Sequence, residues 1–159
     1  MVDNSQLEIS PLSWLEKQVA TMLEFINVES SNIKIEQLAQ DEYQVLIDAG
    51  KDDGLLIGRD GATLDAIAHI LGKMMAAHYQ GYRINVDVAG YRQRKEDRLR
   101  SKVLEIADKV NELTSEYIIK GLTPQERRIV HLTIQDFEHL ESRSEGEGIL
   151  RDVVIYSKN

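Results

Sequence analysis

The hydrophobic periodicity of this chain switches repeatedly between that of a strand and that of a helix, which rules out an all-helical or all-strand fold. Tyr82, Ile84, Val86 and Val88 alternate with Arg83, Asn85 and Asp87, the clearest half-buried strand in the sequence. On either side the apolar residues fall three and four apart. Leu64, Ile67, Leu71 and Met74, with His78, precede the strand, and Leu99, Val103, Ile106, Val110 and Leu113 follow it. Each such stripe predicts a helix with one face to bury. Helices packed on short strands make an α+β protein.

Further elements extend this pattern. Ser10-Pro11 reads as an N-cap with proline at the first helical position, and Leu12, Leu15, Val19, Met22 and Ile26 form the stripe behind it. Ile33 and Ile35, then Tyr43, Val45 and Ile47, alternate on either side of the polar turn 39–42, which predicts a hairpin. Thr123-Pro124-Gln125-Glu126 is a capping box, and the helix it starts runs through Arg127, His131 and Gln135. Ile118-Ile119 reads as a short strand, and Gly146-Glu147-Gly148 turns the chain into a last strand from Ile149 to Tyr156. Gly90 marks a boundary, so residues 10–89 and 90–159 are expected to form separate domains.

Charge divides at the same place. The 159 residues carry a net −8, yet residues 1–90 hold 6 basic and 14 acidic side chains while residues 91–159 hold 13 of each. Arg92, Arg94, Lys95, Arg98, Arg100 and Lys102 crowd the start of the second half. Taken alone the run is as readily a solvated helix face as a phosphate-binding patch. Cysteine does not occur, which excludes disulfides and thiolate metal sites. The N-terminus shows no basic start followed by an apolar run, and no stretch reaches the roughly 18–20 apolar residues of a membrane span. A soluble, cytoplasmic protein is expected.

Two short motifs carry the chemistry. Gly58-Arg59-Asp60-Gly61 sits between an apolar segment and a helix start. Without a Cβ, glycine lets an outside backbone approach closely, and a helix N-terminus offers unpaired N–H groups to an anion. Taken alone, Gly-x-x-Gly is most often a plain turn. Arg127 and His131 lie one helical turn apart, with Arg128 beside them. A guanidinium can grip a phosphate through two hydrogen bonds, and an imidazole can stack on an unpaired base. Taken alone, the pair also fits a surface arginine beside a histidine of the core.

Catalytic motifs do not occur. The chain has no Gly-x-x-x-x-Gly-Lys-Ser/Thr loop, no Gly-x-Ser-x-Gly elbow and no His-Glu-x-x-His helix. His69, His78, His131 and His139 lack metal-ligand spacing. No enzyme activity, cofactor or metal is expected.

Taken together, the motifs resemble a known family. A Gly-x-x-Gly clamp after a strand pair and before a third strand resembles the KH domain, which holds about four nucleotides through that loop. The order helix-strand-strand-helix-helix-strand looks like the bacterial type II arrangement. Residues 54–67, Gly-Leu-Leu-Ile-Gly-Arg-Asp-Gly-Ala-Thr-Leu-Asp-Ala-Ile, are similar to the loop and helix of the bacterial Jag family. The helix around Arg127 and His131 resembles the signature of the R-three-H (Arg-x-x-x-His) domain. Residues 141–147 and 151–155 resemble its closing hairpin, and Gly90-Tyr91-Arg92-x-Arg94-Lys95 resembles the join between the two Jag domains.

This resemblance implies a type II KH domain over 10–89 followed by a small R-three-H domain over 90–159, its helices packed on a short antiparallel sheet. It implies non-catalytic binding of single-stranded RNA, or of single-stranded DNA, with post-transcriptional regulation as the outcome. The contacts would be Gly58, Arg59, Asp60 and Gly61, then Arg127 and His131 with Arg92, Arg94, Arg128 and Arg151. It also implies a small single-KH protein, or a second copy of the chain, as partner. Two departures stand out. Fewer than a dozen residues precede the first helix, so the additional N-terminal domain of many Jag proteins is not expected. Asp60 stands where KH domains commonly carry Lys or Arg. A protein-interaction module, with an acidic first half that does not bind RNA, is the competing reading.

Overall fold

A computed structural model describes residues 10–28, 32–113 and 115–158. The reading of the extreme N-terminus lies outside them. The chain divides into two compact units, the first ending at Tyr91 and the second starting at Arg92.

In the first unit α1 (Pro11–Phe25) starts as its sequence predicts, with Ser10 Oγ accepting from Ser13 N–H. Its buried stripe is Leu15, Val19 and Leu23, with Met22 beside it. Leu12 is exposed, and the helix stops before Ile26, which is exposed too. The stripe therefore continues four residues after Val19, keeping to the α-helical period.

Strands β1 (Asn32–Ala39) and β2 (Glu42–Asp48) form the expected hairpin, with Ile33 opposite Ile47 and Ile35 opposite Val45. The short helix α2 (Asp53–Ile57) and the long helix α3 (Ala62–His78) follow, and then β3 (Arg83–Val88). β3 pairs with β2 in parallel, so the sheet order is β1-β2-β3. A parallel neighbour requires a long crossover, and the two helices supply it. α3 buries Leu64, Ile67, Leu71 and Met75. Met75 takes the place expected of Met74, and His78 is exposed with its ring 5.1 Å from that of Trp14.

Helix α4 (Tyr91–Leu113) belongs to the second unit from Arg92 onward and buries Val103, Ile106, Ala107 and Val110, while Leu113 is exposed. β4 (Tyr117–Leu122), α5 (Pro124–Ile134), β5 (Leu140–Glu145) and β6 (Arg151–Ser157) complete it. β6 is the central strand of an antiparallel sheet ordered β4-β6-β5. Val153 and Ile155 of β6 meet Val130 and Ile134 of α5 and the buried face of α4 in one core. The last strand begins two residues later than expected, so Ile149 and Leu150 belong to the turn before it.

Candidate nucleic-acid interface

The turn at Gly58–Gly61 is shaped by its backbone. Ala49 N–H donates to the Asp53 carboxylate at 2.8 Å, which anchors the start of α2, and Gly58 N–H closes its last turn on Gly54 O at 2.9 Å. The chain then reverses through positive φ at Gly58 (71°), Asp60 (54°) and Gly61 (93°). A Cβ on Gly58 would stand 2.1 Å from Thr63 Oγ1, and one on Gly61 would stand 2.8 Å from the Tyr91 ring. Glycine is required at both positions, for conformation and for space. Arg59 and Asp60 face solvent between them. The N-cap of α3 is Gly61, which has no side chain to offer the first N–H groups of that helix.

The second candidate site lies wholly in the second unit. Thr123 and Glu126 form the expected capping box, and Lys95 joins it with Nζ 3.0 Å from Glu126. Burial opposes the charge on Glu126, but hydrogen bonds from Thr123 and Lys95 outweigh it and hold the carboxyl below its usual range. The capped helix turns Arg127 and His131 toward the β5–β6 hairpin. Arg127 Nη1 donates to Leu122 O at 2.9 Å and to Ile149 O at 2.8 Å. His131 lies between two serines of β5, with Nδ1 2.7 Å from Ser142 Oγ and Nε2 2.9 Å from Ser144 Oγ. Burial, and then the neighbouring Arg127 charge, push the imidazole pKa below its ordinary value.

The structure thus brings Arg127 and His131 to one hairpin, and Arg151 belongs to the same hairpin, its Nε donating to Gly148 O at 3.0 Å. Arg128 is exposed on α5. Arg92 and Arg94 are exposed in the first turns of α4, where Arg94, Arg98 and Lys102 follow one another at intervals of four along one flank. Lys95 of the same basic run is committed to Glu126. Gly58–Gly61 belongs to the first unit and the basic side chains of this site to the second.

Sequence reasoning did not find Tyr91 as the wall behind Gly61, nor Ser142 and Ser144 as the partners of His131. No local signal marks a serine as the ligand of a ring on another element. A groove lined by Glu116, Glu141, Arg143, Tyr156 and Lys158 is an internally paired network. Arg143 reaches Glu145 at 2.7 Å and Glu116 at 3.3 Å while lying 4.6 Å from the Tyr156 ring centre, and Lys158 stands 3.6 Å from Glu141. Among the described residues no group of three or more His, Asp or Glu could hold a metal ion, and no helix is long and apolar enough to cross a membrane.

Comparison with known proteins places the R-three-H domain at residues 98–157. The chain is 33% identical over 110 residues to the RNA-binding protein KhpB of Clostridium symbiosum, an alignment covering 69% of this chain and 50% of that protein. It is 26% identical over 155 residues to the RNA-binding protein KhpB of Bacillus subtilis, covering 95% of this chain and 73% of that one. With the protein of the same name from Lactiplantibacillus plantarum it shares 29% identity over 104 residues, or 64% of this chain and 32% of the other. The match to the Clostridium symbiosum protein therefore spans half of that relative's length.

Proposed function

We propose, from the R-three-H domain, the likeness to KhpB proteins and the geometry of the loop, that this chain is a Jag-type, non-catalytic, cytoplasmic binder of single-stranded RNA. The first unit is a type II KH domain in this reading, and residues 58–61 are its backbone clamp. The observation that carries the proposal is the loop itself. Two glycines are required by space and conformation, the two residues between them are exposed, and a helix without an N-cap side chain starts at its end. Thr63 and Tyr91 fill the space beside the glycines, so in this reading a phosphate chain approaches the backbone N–H groups from the exposed Arg59–Asp60 side.

Arg127 and His131, supported by Arg92, Arg94, Arg128 and Arg151, make the second contact surface. Among the described residues, the carbonyl partners of Arg127 are on Nη1, so the opposite edge of its guanidinium can face a phosphate. His131, with both ring nitrogens taken up by serines, shapes this surface more than it donates to a ligand.

Titration of the full chain with single-stranded RNA over a range of salt tests the proposal. Contact with about three phosphates gives a log–log salt slope near −2, at roughly −0.7 per phosphate on a single strand. No binding, or an affinity indifferent to salt, would overturn it and favour the use of these surfaces for protein docking.

A further inference from the structure

Ile149 and Leu150 are adjacent aliphatic residues, 76% and 58% exposed, in the turn between β5 and β6. Apolar surface normally leaves water, and in a β-rich hairpin the neighbouring strand could have taken it in. Here the turn is held from beneath in a way that keeps the pair outside. Arg127 Nη1 fastens Ile149 through its carbonyl, and Arg151 Nε fastens Gly148 through its own. His131 holds β5 against α5 through Ser142 and Ser144. Three polar side chains thus fix a short loop whose outer surface is aliphatic.

We propose that this hairpin tip is a base-contacting wedge, against which Ile149 and Leu150 pack an unstacked nucleobase of a single strand. The inference rests on the RNA-binding reading and deepens it by naming the surface that Arg127 positions. Charge favours a nucleic acid over a neutral partner. Arg127 and Arg151 lie at the base of the tip, and Arg128 is exposed one residue from Arg127 on α5. Of the three nearby acids in the hairpin, Glu145 is paired with Arg143, Asp152 accepts the Gly121 N–H at 2.8 Å, and Glu147 is exposed in the turn, against the three guanidinium groups. Guanidinium groups beside an aliphatic platform suit a strand whose phosphates are anionic and whose bases, once unstacked, present an apolar face. A duplex, whose bases are already stacked, has nothing to lay on the platform.

The test replaces both aliphatic side chains in the full chain, Ile149→Ser with Leu150→Ser, and measures binding to a mixed-sequence single-stranded RNA, the same strand as DNA, and the matched RNA duplex. Single-strand affinity is expected to fall roughly three- to tenfold for RNA and DNA alike, somewhat less than the loss of an aromatic stacking partner. The salt slope stays where it was, because an apolar contact releases no counterions. Preference over the duplex narrows. Ile149→Trp is expected to tighten binding, a gain that a merely structural position would not give. Thermal melts of both variants match the parent, since neither side chain is in the core. Parent-like single-strand affinity in the serine variant overturns the wedge and leaves the RNA-binding reading standing. Failure of the parent protein to bind RNA overturns that reading first.

Discussion

The two candidate contact regions are built from opposite materials. At Gly58–Gly61 the shape comes from the backbone, and the requirement on sequence is that side chains be missing at two positions. At the β5–β6 hairpin the shape comes from side chains, with one arginine and one histidine of α5 claiming two carbonyls and two serine hydroxyls. The first region lies in the acidic half of the chain and the second in the half whose charges balance. A negatively charged unit can still hold a phosphate chain if the contact is made by backbone N–H groups, whose partial charges do not depend on net charge.

The sharpest way to break the contrast is Gly58→Ala. A loop shaped by the backbone cannot accept even a methyl group, because the new Cβ would fall 2.1 Å from Thr63 Oγ1 at a φ of 71° and ψ of −172°. Strain in that region costs about 1–3 kcal/mol before any clash is counted, so a loss of roughly 2–4 kcal/mol is expected. Chemical unfolding followed through Trp14, the single tryptophan and a member of the first unit, reads it directly. A parent-like midpoint would mean that the loop is adaptable and that its glycines are incidental. RNA binding in Gly58 variants has to be judged per folded molecule for the same reason.

A smaller effect is expected from Asp60, which is exposed between the glycines. Two unit charges 6 Å apart, at an effective dielectric of roughly 40 to 80, repel by about 0.7 to 1.4 kcal/mol, less whatever salt screens. Asp60→Lys removes the repulsion and adds attraction, for roughly 1–2 kcal/mol, or five- to thirtyfold tighter RNA binding at low ionic strength. Asp60→Asn gives about half of that. Unchanged affinity in both variants would mean that no phosphate rests on the loop, and the comparison between the regions would lose its first member.

Much of this was legible in the sequence, and the failures share a cause. Alternation located β1, β2 and β3 because a strand with one buried face writes its geometry into every second residue. The capping box of α5 was equally plain because its partners are three residues apart. Along α1, Leu12 and Ile26 fit a helical stripe as well as Leu23 does, and which face is buried depends on what α1 packs against. Met74 and Met75 pose the same choice. Ile149 and Leu150 looked like strand because β-branched and aliphatic residues favour strands, yet the carbonyls of Gly148 and Ile149 go to arginines instead of a ladder. The loop motif was readable, but Tyr91, thirty residues on, was not. Local spacing reports neighbours within a turn of helix or a strand pair, and the site depends on contacts beyond that range.

The smallest effect separates the two regions by pH. His131 belongs to the hairpin held by side chains, and burial together with the Arg127 charge sets its pKa below the ordinary value of 6.5. The groups facing it are Arg127 on its own helix and the hydroxyls of Ser142 and Ser144 on β5. As a neutral ring it donates one N–H to one serine and accepts from the other. In acid the unfolded chain takes up the proton first, so below about pH 6.5 the unfolded state binds more protons than the folded one. Stability then rises with pH: the contribution of His131 is complete above the unfolded pKa and is lost as pH falls through it toward the depressed folded value. Glu126, also depressed, adds its own loss only further into acid, because its stability is complete above the ordinary carboxyl range. Between about pH 7.5 and 5.5 a decline of the second unit is expected from His131. Hydrogen exchange of α5 and β6 amides at the two pH values, corrected for intrinsic rates, measures it, and His131→Gln removes the decline while keeping an uncharged donor and acceptor against the serines. If the substituted protein declines as steeply as the parent, the imidazole is not the titrating group. Hydrogen exchange of the β2 and β3 amides, read in the same samples, shows whether the first unit follows the second.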